Sequence, residues 1–146
     1  MDIEEQYDKI YRFCFFKLRD AHLAEDITQE TFLRFLESKN YKDTGRPLAF
    51  LYTIAGNLCI DEFRRKKASE LPEDMPGQEF EDGVINRVAL KQAMAQLTSQ
   101  EQELLLLRYV NEVPVNTLSK MYGKSRFALY RELSNITRKL ERRLGS

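Results

Sequence analysis

The segment from Ala68 to Gly83 constrains the fold most strongly, because it interrupts an otherwise regular helical pattern. Its charged side chains are all acidic, it contains two prolines, and its apolar residues follow no helical period. This composition is typical of a linker. The sequence therefore predicts two folded parts, residues 1–67 and 84–146, joined by a flexible acidic linker over 68–83.

The first part has the apolar spacing of three helices. The apolar stripe of the first helix consists of Ile3, Tyr7, Ile10, Cys14 and Leu18. Intervals of three and four residues place these side chains on one helix face. A second helix is predicted from about His22 to Glu37. A third is predicted from Pro47 to about Lys67, since a proline suits the first turn of a helix.

The second part begins with a predicted helix over 84–97. Thr98 and Glu101 then have the spacing of a capping box, which opens another helix that extends to about Val110. Together with the three helices before the linker, these patterns predict an all-α protein made of two small helical bundles.

A helix-turn-helix is predicted at the end of the chain. Pro114 begins a short helix, Gly123 ends it, and Ser125 is placed to cap the last helix. The core stripe of that last helix consists of Leu129, Leu133, Ile136 and Leu140. The candidate DNA contacts at its start and on its opposite face are Lys124, Ser125, Arg126, Phe127, Tyr130, Arg131, Ser134, Arg138 and Arg142. A solvated basic helix is the alternative interpretation of this face.

The charge distribution favours a nucleic-acid partner although the formal net charge is zero. From Leu118 onward the chain carries eight basic side chains and only two acidic ones, and residues 64–67 form a second basic cluster. The acidic linker offsets these basic residues in the formal net charge. Because a polyanion responds to the charge of the surface it contacts, the local clusters matter more than the net charge.

The second and third predicted helices each carry a candidate contact face. On the third, an aromatic ring, hydrogen-bonding groups and a cation share one side, as binding to unpaired bases requires. Its residues are Phe50, Thr53, Asn57, Asp61 and Arg64. On the second, one apolar side chain lies among polar ones, an arrangement suited to docking on another protein's helix. Its residues are Asp26, Gln29, Glu30, Leu33 and Glu37. Solvated polar faces are the alternative in both cases.

Several classes of function are disfavoured. No apolar run is long enough to span a membrane, and the acidic N-terminus does not resemble a secretory signal, so we expect a cytoplasmic protein without stable membrane insertion. Cys14 and Cys59 are expected to be buried thiols, and His22 has no clustered ligand partner. The chain shows no nucleophile–base pair, metal-ligand spacing or phosphate-binding glycine loop. We therefore expect no enzymatic activity, no metal and no cofactor.

Two sequence blocks resemble a known family. AEDITQETFLRFLE (24–37), followed by FLYTIAGNLCIDEFRRKK (50–67), resembles conserved region two of the extracytoplasmic-function (ECF) sigma factors of bacterial RNA polymerase. Residues 97–125 with the last helix resemble region four. The resemblance covers nearly the whole chain except the linker.

The resemblance implies roles for these segments. The region-two residues that would dock on the beta-prime clamp helices of core RNA polymerase are Asp26, Gln29, Glu30 and Leu33. Those that would engage the −10 element as it melts, or hold its phosphates, are Phe50, Tyr52, Asn57, Asp61, Arg64, Arg65, Lys66 and Lys67. The loop over 38–46 would receive a flipped base. Region four would read the −35 element as duplex DNA and pack on the beta flap, and an anti-sigma factor is an expected partner.

Departures from the family pattern leave other interpretations open. Phe50 stands where the family often has Trp, and Thr53 and Gly56 stand where basic residues are frequent. The run over 130–132, Tyr-Arg-Glu, replaces a more usual basic-polar-basic run. The alternatives are a free-standing helix-turn-helix regulator, which would bind a duplex operator alone, and a sigma-like regulator that occupies polymerase without supporting initiation.

Overall fold

The computed structural model describes residues 2–38, 47–69 and 91–143, although not the side chains of 66–69 and 143. Its regular elements are helices, and no strand occurs within these three ranges. The chain divides into two compact units, one N-terminal and one C-terminal. The predicted all-α class is confirmed. The predicted linker lies outside the described ranges except for Ala68 and Ser69, which belong to a helix and not to a linker.

Among the described residues 2–38 and 47–69, the N-terminal unit contains the helices α1 (Ile3–Leu18), α2 (Ala21–Glu37) and α3 (Pro47–Ser69). The Asp2 carboxylate caps α1 by accepting the Glu4 N–H at 3.0 Å, and the Asp20 carboxylate caps α2 by accepting the Leu23 N–H at 3.0 Å. Arg19, in the left-handed conformation at φ 56°, ends α1. The chain therefore reverses within two residues, because one helix ends where the next is capped.

The three helices bury one continuous core. The buried side chains of α1 are Ile10, Phe13, Cys14 and Leu18; those of α2 are Ala24, Ile27, Thr28, Thr31, Phe32 and Phe35; those of α3 are Ala49, Leu51, Tyr52, Ala55 and Cys59. The Thr28 and Thr31 hydroxyls donate to the carbonyl oxygens of Ala24 and Ile27, each at 2.6 Å. Their burial is tolerated because both hydroxyls are hydrogen-bonded. Cys14 and Cys59 are both buried thiols that form no disulfide, as predicted.

The C-terminal unit begins, within the described residues, with a helical stretch over 91–94 that passes into a turn over 95–97. The helix predicted over 84–97 therefore ends earlier than expected, and its residues 84–90 lie outside the described part. The helix α4 (Ser99–Leu105) follows. Thr98 Oγ1 accepts the Glu101 N–H at 3.1 Å, and Glu101 Oε1 accepts the Thr98 N–H at 2.9 Å. The predicted capping box is confirmed.

The continuation of α4 differs from the prediction. Residues Leu106–Val110 form one turn of π-helix, which the Asn111 N–H closes by donating to the Leu106 carbonyl at 2.9 Å. The regular α-helix predicted to reach Val110 is therefore wrong in its last turn. The wider turn, followed by Glu112 at φ 57°, keeps both Leu107 and Val113 buried.

The predicted helix-turn-helix elements are present as α5 (Val115–Tyr122) and α6 (Arg126–Arg143). Gly123 ends α5 in the left-handed conformation at φ 64°, and its N–H donates to the Ser119 carbonyl at 2.9 Å. Ser125 Oγ accepts the Ala128 N–H at 3.1 Å and caps α6, as predicted. The described α6 side chains that are fully buried are Leu129, Leu133 and Ile136, whereas Leu140 is half-buried.

An ion pair holds α6 to the first turn of α4. Lys139 Nζ lies 2.8 Å from a carboxylate oxygen of Glu101, the residue that also completes the capping box. These contacts lower the pKa of the Glu101 carboxyl, chiefly through the Lys139 hydrogen bond. Glu101 thus joins a local helix cap to a contact 38 residues away along the chain.

Candidate nucleic-acid interface

The outward face of α2 is polar with an apolar centre. Asp26, Gln29 and Leu33 are exposed, and Glu30 is half-buried and paired with Arg34 at 2.8 Å. Leu33 is 56 % exposed. The structure adds Leu36, which is 57 % exposed and which the sequence argument missed. Its spacing of three residues from Leu33 is the signal that places both leucines on one side of the helix.

Contacts from α1 organise the edge of this face. Glu25 Oε2 accepts hydrogen bonds from the Tyr7 hydroxyl at 2.6 Å and from the Gln29 amide at 3.1 Å. These bonds lower the pKa of the Glu25 carboxyl, and burial together with Glu25 raises the pKa of Tyr7 to about 12. The Tyr7 ring also stacks on Phe32 at 5.3 Å. The orientation of the Gln29 amide therefore depends on a side chain of another helix.

The outward face of α3 carries most of the residues predicted for unpaired bases. Asn57, Asp61 and Arg64 are exposed, and Phe50 is half-buried with its ring centroid 6.0 Å from that of Phe35. Thr53 is exposed too, although its hydroxyl donates to the Ala49 carbonyl at 2.8 Å within the same helix. This face therefore presents the Phe50 ring, which packs against Phe35, followed along the helix by polar and cationic side chains.

Tyr52, predicted from the family resemblance to contact the −10 element, does not belong to this face. Its side chain is only 1 % exposed, and its ring meets the Phe13 ring edge-on at 5.4 Å. A helix turns about 100° per residue, so Tyr52 points almost opposite to Phe50. Its location in the core contradicts the predicted DNA contact.

The basic end of α3 is described only in part. Arg64 and Arg65 are exposed, and Arg65 forms an ion pair with Glu62. The side chains of Lys66 and Lys67 lie outside the described residues, as does the predicted base-receiving loop beyond Ser38. Two exposed apolar residues on the same helix, Ile60 and Phe63, were not predicted.

The outward face of α6 agrees closely with the predicted set. Its exposed residues include Arg126, Phe127, Tyr130, Arg131, Ser134, Arg138 and Arg142, together with the capping residue Ser125. The Arg131 guanidinium lies over the Phe127 ring, 5.5 Å from its centroid, and Arg138 Nη2 donates to Ser134 Oγ at 3.2 Å. Lys124 is half-buried instead, and its ammonium lies 2.8 Å from a carboxylate oxygen of Glu132. The ammonium group of this predicted DNA contact is therefore already paired with a carboxylate of α6.

Within residues 2–38, 47–69 and 91–143, no cluster of three or more His, Cys, Asp or Glu side chains is arranged to hold a metal ion. In the same part of the chain, no helix is long and apolar enough to cross a membrane.

Comparison with known proteins identifies the family. The family model for Sigma-70 region 2 matches residues 3–69, which contain α1 to α3. The ECF RNA polymerase sigma factor SigW of Bacillus subtilis is 30% identical over 166 aligned residues, which cover 92% of this chain and 89% of SigW. This chain belongs to the ECF family of RNA polymerase sigma factors. SigM of the same organism, another ECF sigma factor, is 32% identical over 77% of each chain.

A solved sigma-factor structure has the same fold. The sigma factor RpoE from Bartonella quintana, in its complex with the anti-sigma factor NepR, matches this chain with a TM-score of 0.70 and 18% identity. The match covers 95% of this chain and 91% of RpoE. The family recognised from the two sequence blocks is confirmed, and the protein is a sigma factor of transcription initiation.

Proposed function

We propose that this sigma factor binds core RNA polymerase through the outward face of α2 and directs initiation through DNA contacts on α3 and α6. One observation carries the proposal. Each of these helices buries one stripe of side chains within its own unit and leaves most of the predicted contact residues exposed on the opposite side. The contact residues are therefore available to a partner without any loss of the folded core.

The α2 face has the composition of a helix-docking surface. Leu33 and Leu36 supply apolar side chains that a partner can cover, and Asp26 and Glu30 supply a polar, acidic rim. Apolar anchors surrounded by polar groups carry most of the binding energy in many protein interfaces. In our proposal the partner is the clamp helices of the beta-prime subunit, and the acidic rim favours a basic surface there.

The α3 face is proposed to capture the −10 element in its melted form. Phe50 offers a ring for base stacking, Asn57 offers an amide for hydrogen bonds to a base edge, and Arg64 offers a cation for phosphates. Stacking of a base on an aromatic side chain contributes about 1–3 kcal/mol. Tyr52 supports this function only from within the core, where it holds α3 against α1 through Phe13.

The α6 face is proposed to read the −35 element as duplex DNA. The capped start of the helix exposes backbone N–H groups to an anion, and Arg131 lies less than two turns further along. Arg138 and Arg142 lie nearer the end of the helix, where they would contact phosphates. This division assigns sequence preference to the start of α6 and general affinity to its end.

The two units have separate roles in this proposal. Residues 1–69, which end with α3, act as region two, 84–146 act as region four, and the acidic segment over 70–83 tethers them. Region four also packs on the beta flap, and an anti-sigma factor restrains the protein when it is not needed. The protein performs no catalysis of its own and works in the cytoplasm, where it would meet polymerase.

Run-off transcription on a genomic fragment library tests the proposed function. Core polymerase is supplied with or without this protein, and binding of the same fragments by the protein alone is measured in parallel. The proposal predicts defined transcripts only when both components are present. Operator binding by the protein alone, without transcripts, would instead indicate a free-standing regulator. Stable polymerase occupancy without transcripts would indicate a regulator that does not support initiation.

A further inference from the structure

Phe127 is the most exposed large apolar side chain among the described residues, at 75 %. It lies in the first turn of α6, on the side opposite the buried Leu129 and Leu133. A phenyl ring left in water forgoes the stabilisation of about 25 cal/mol per Å² that burial would give. The fold of this unit therefore does not explain the ring, whereas a partner that covers it would.

The Phe127 ring is paired with Arg131. The guanidinium carbon of Arg131 lies 5.5 Å from the ring centroid, within the range of a cation–π interaction. One face of the ring is therefore occupied, while its edge and opposite face remain open. The pairing also restrains Arg131, whose ordering would otherwise cost rotamer entropy on binding.

The surroundings of this pair favour DNA as the partner. Arg126 precedes Phe127 at the start of α6, and the chain from Leu118 onward carries eight basic and two acidic residues. The positive end of the helix dipole points to the same place. In the major groove, the apolar group available to a phenyl ring is the C5 methyl group of thymine, and guanine offers two acceptors to one arginine.

We infer that Phe127 and Arg131 act together as a reader of a thymine with a neighbouring guanine in the duplex element bound by α6. Phe127 covers the thymine methyl group, and Arg131, held against the ring, donates two hydrogen bonds to guanine O6 and N7. This inference rests on the proposed −35 role of α6. The recognised element then contains a methylated pyrimidine beside a guanine, and Phe127 and Arg131 are the side chains that select it.

Uracil substitution tests the inference, because deoxyuridine differs from thymidine only by that methyl group. The preferred −35 element is first selected with holoenzyme, and each thymine in it is then replaced singly by deoxyuridine. Loss of one buried methyl group is expected to weaken binding about fourfold at one position next to a guanine. Phe127→Ala should remove that difference and also relax the preference for the neighbouring guanine.

Two further variants separate the parts of the pair. Phe127→Leu keeps an apolar contact but loses the cation–π partner, so it should retain the thymine–uracil difference and relax the guanine preference. Tyr109→Ala, which removes another exposed aromatic side chain of the same unit, should change neither preference. Core-polymerase affinity without DNA is measured for every variant.

Three results would overturn the inference. A thymine–uracil difference that persists in Phe127→Ala, or that no position shows, removes the methyl contact. A loss of polymerase affinity by Phe127→Ala without DNA makes the ring a protein contact. A selection that returns no upstream sequence preference at all refutes the −35 role of α6 itself, and this result is distinct from the other two.

Discussion

The Tyr7 hydroxyl of α1 donates a 2.6 Å hydrogen bond to the Glu25 carboxylate of α2. The same carboxylate oxygen accepts the Gln29 amide at 3.1 Å. Gln29 belongs to the face proposed to dock on polymerase, whereas Tyr7 does not. Tyr7 is therefore a positioning residue, which fixes an edge of the docking face through Glu25.

The pH dependence of stability tests the Tyr7 hydrogen bond. Because the pKa of Tyr7 is raised from 10.0 to about 12, its contribution to stability is fully present below pH 10 and is lost as the pH rises through 12. Tyr7→Phe lacks this contribution at every pH. We expect the wild type to be the more stable at pH 8, and the difference to shrink steadily between pH 10 and 12.

Urea unfolding of the two proteins across this pH range, with a reductant present, provides the measurement. Taking the difference between the two proteins cancels the titration of the other tyrosines. A difference in the free energy of unfolding that stays constant up to pH 12 would contradict the role of the hydroxyl.

The exposed leucines of α2 lead to a prediction about polymerase binding. Leu33→Ala combined with Asp26→Ala should weaken binding to core polymerase about tenfold or more. Truncating an apolar side chain at the centre of an interface costs about 1–2 kcal/mol or more in binding free energy. Leu36→Ala should also weaken binding, since its side chain is as exposed as that of Leu33. Circular dichroism should show unchanged helicity, because none of these side chains is part of the buried core.

Ile60→Ala serves as the matched control, since it removes an exposed apolar side chain from α3 in the same unit. Competition binding to core polymerase compares the double variant, Leu36→Ala and Ile60→Ala with the wild type. Equal affinities for the α2 variants and the Ile60 variant would exclude α2 as the docking face.

Tyr52→Ala should act on stability. Removing a fully buried aromatic side chain that packs on Phe13 is expected to cost about 3–5 kcal/mol in the free energy of unfolding. Asn57→Ala, on the exposed side of the same helix, should cost well under 1 kcal/mol. Urea denaturation of both variants checks the contrast. A stable Tyr52→Ala protein with a selective defect at the −10 element would restore the role that the family resemblance implied.

Local signals in the sequence were enough to predict the beginnings and ends of several helices. Thr98 and Glu101 satisfy each other's backbone N–H groups, and Gly123 adopts the left-handed conformation that ends α5. These features depend on residues within one turn of each other. Helical spacing also separated the exposed face of α6 from its buried stripe.

Features that depend on tertiary contacts were not predictable in the same way. The turn of π-helix after α4 forms where both Leu107 and Val113 are buried, and the local spacing of apolar residues does not indicate it. The pairing of Lys139 with Glu101 joins residues far apart in the chain. Tyr52 differs from these cases: the family resemblance implied a DNA contact, whereas the structure buries its side chain in the core beside Phe13.

In the proposed function, α3 binds the unpaired bases of the −10 element and α6 binds the −35 element as duplex DNA. Asn57→Ala and Arg131→Ala test this division on two forms of one promoter, one fully duplex and one already unpaired across the −10 element. On duplex DNA both variants should be impaired. Arg131→Ala should lose about 1–3 kcal/mol, or roughly 5- to 150-fold in affinity.

The rate of open-complex formation by each holoenzyme on the two templates is the deciding measurement. The unpaired template should restore most of the activity of Asn57→Ala, because the energy of opening no longer has to come from base capture by α3. It should leave Arg131→Ala impaired by the same factor as on duplex DNA. Equal rescue of both variants, or rescue of Arg131→Ala alone, would contradict the division of recognition between the two helices.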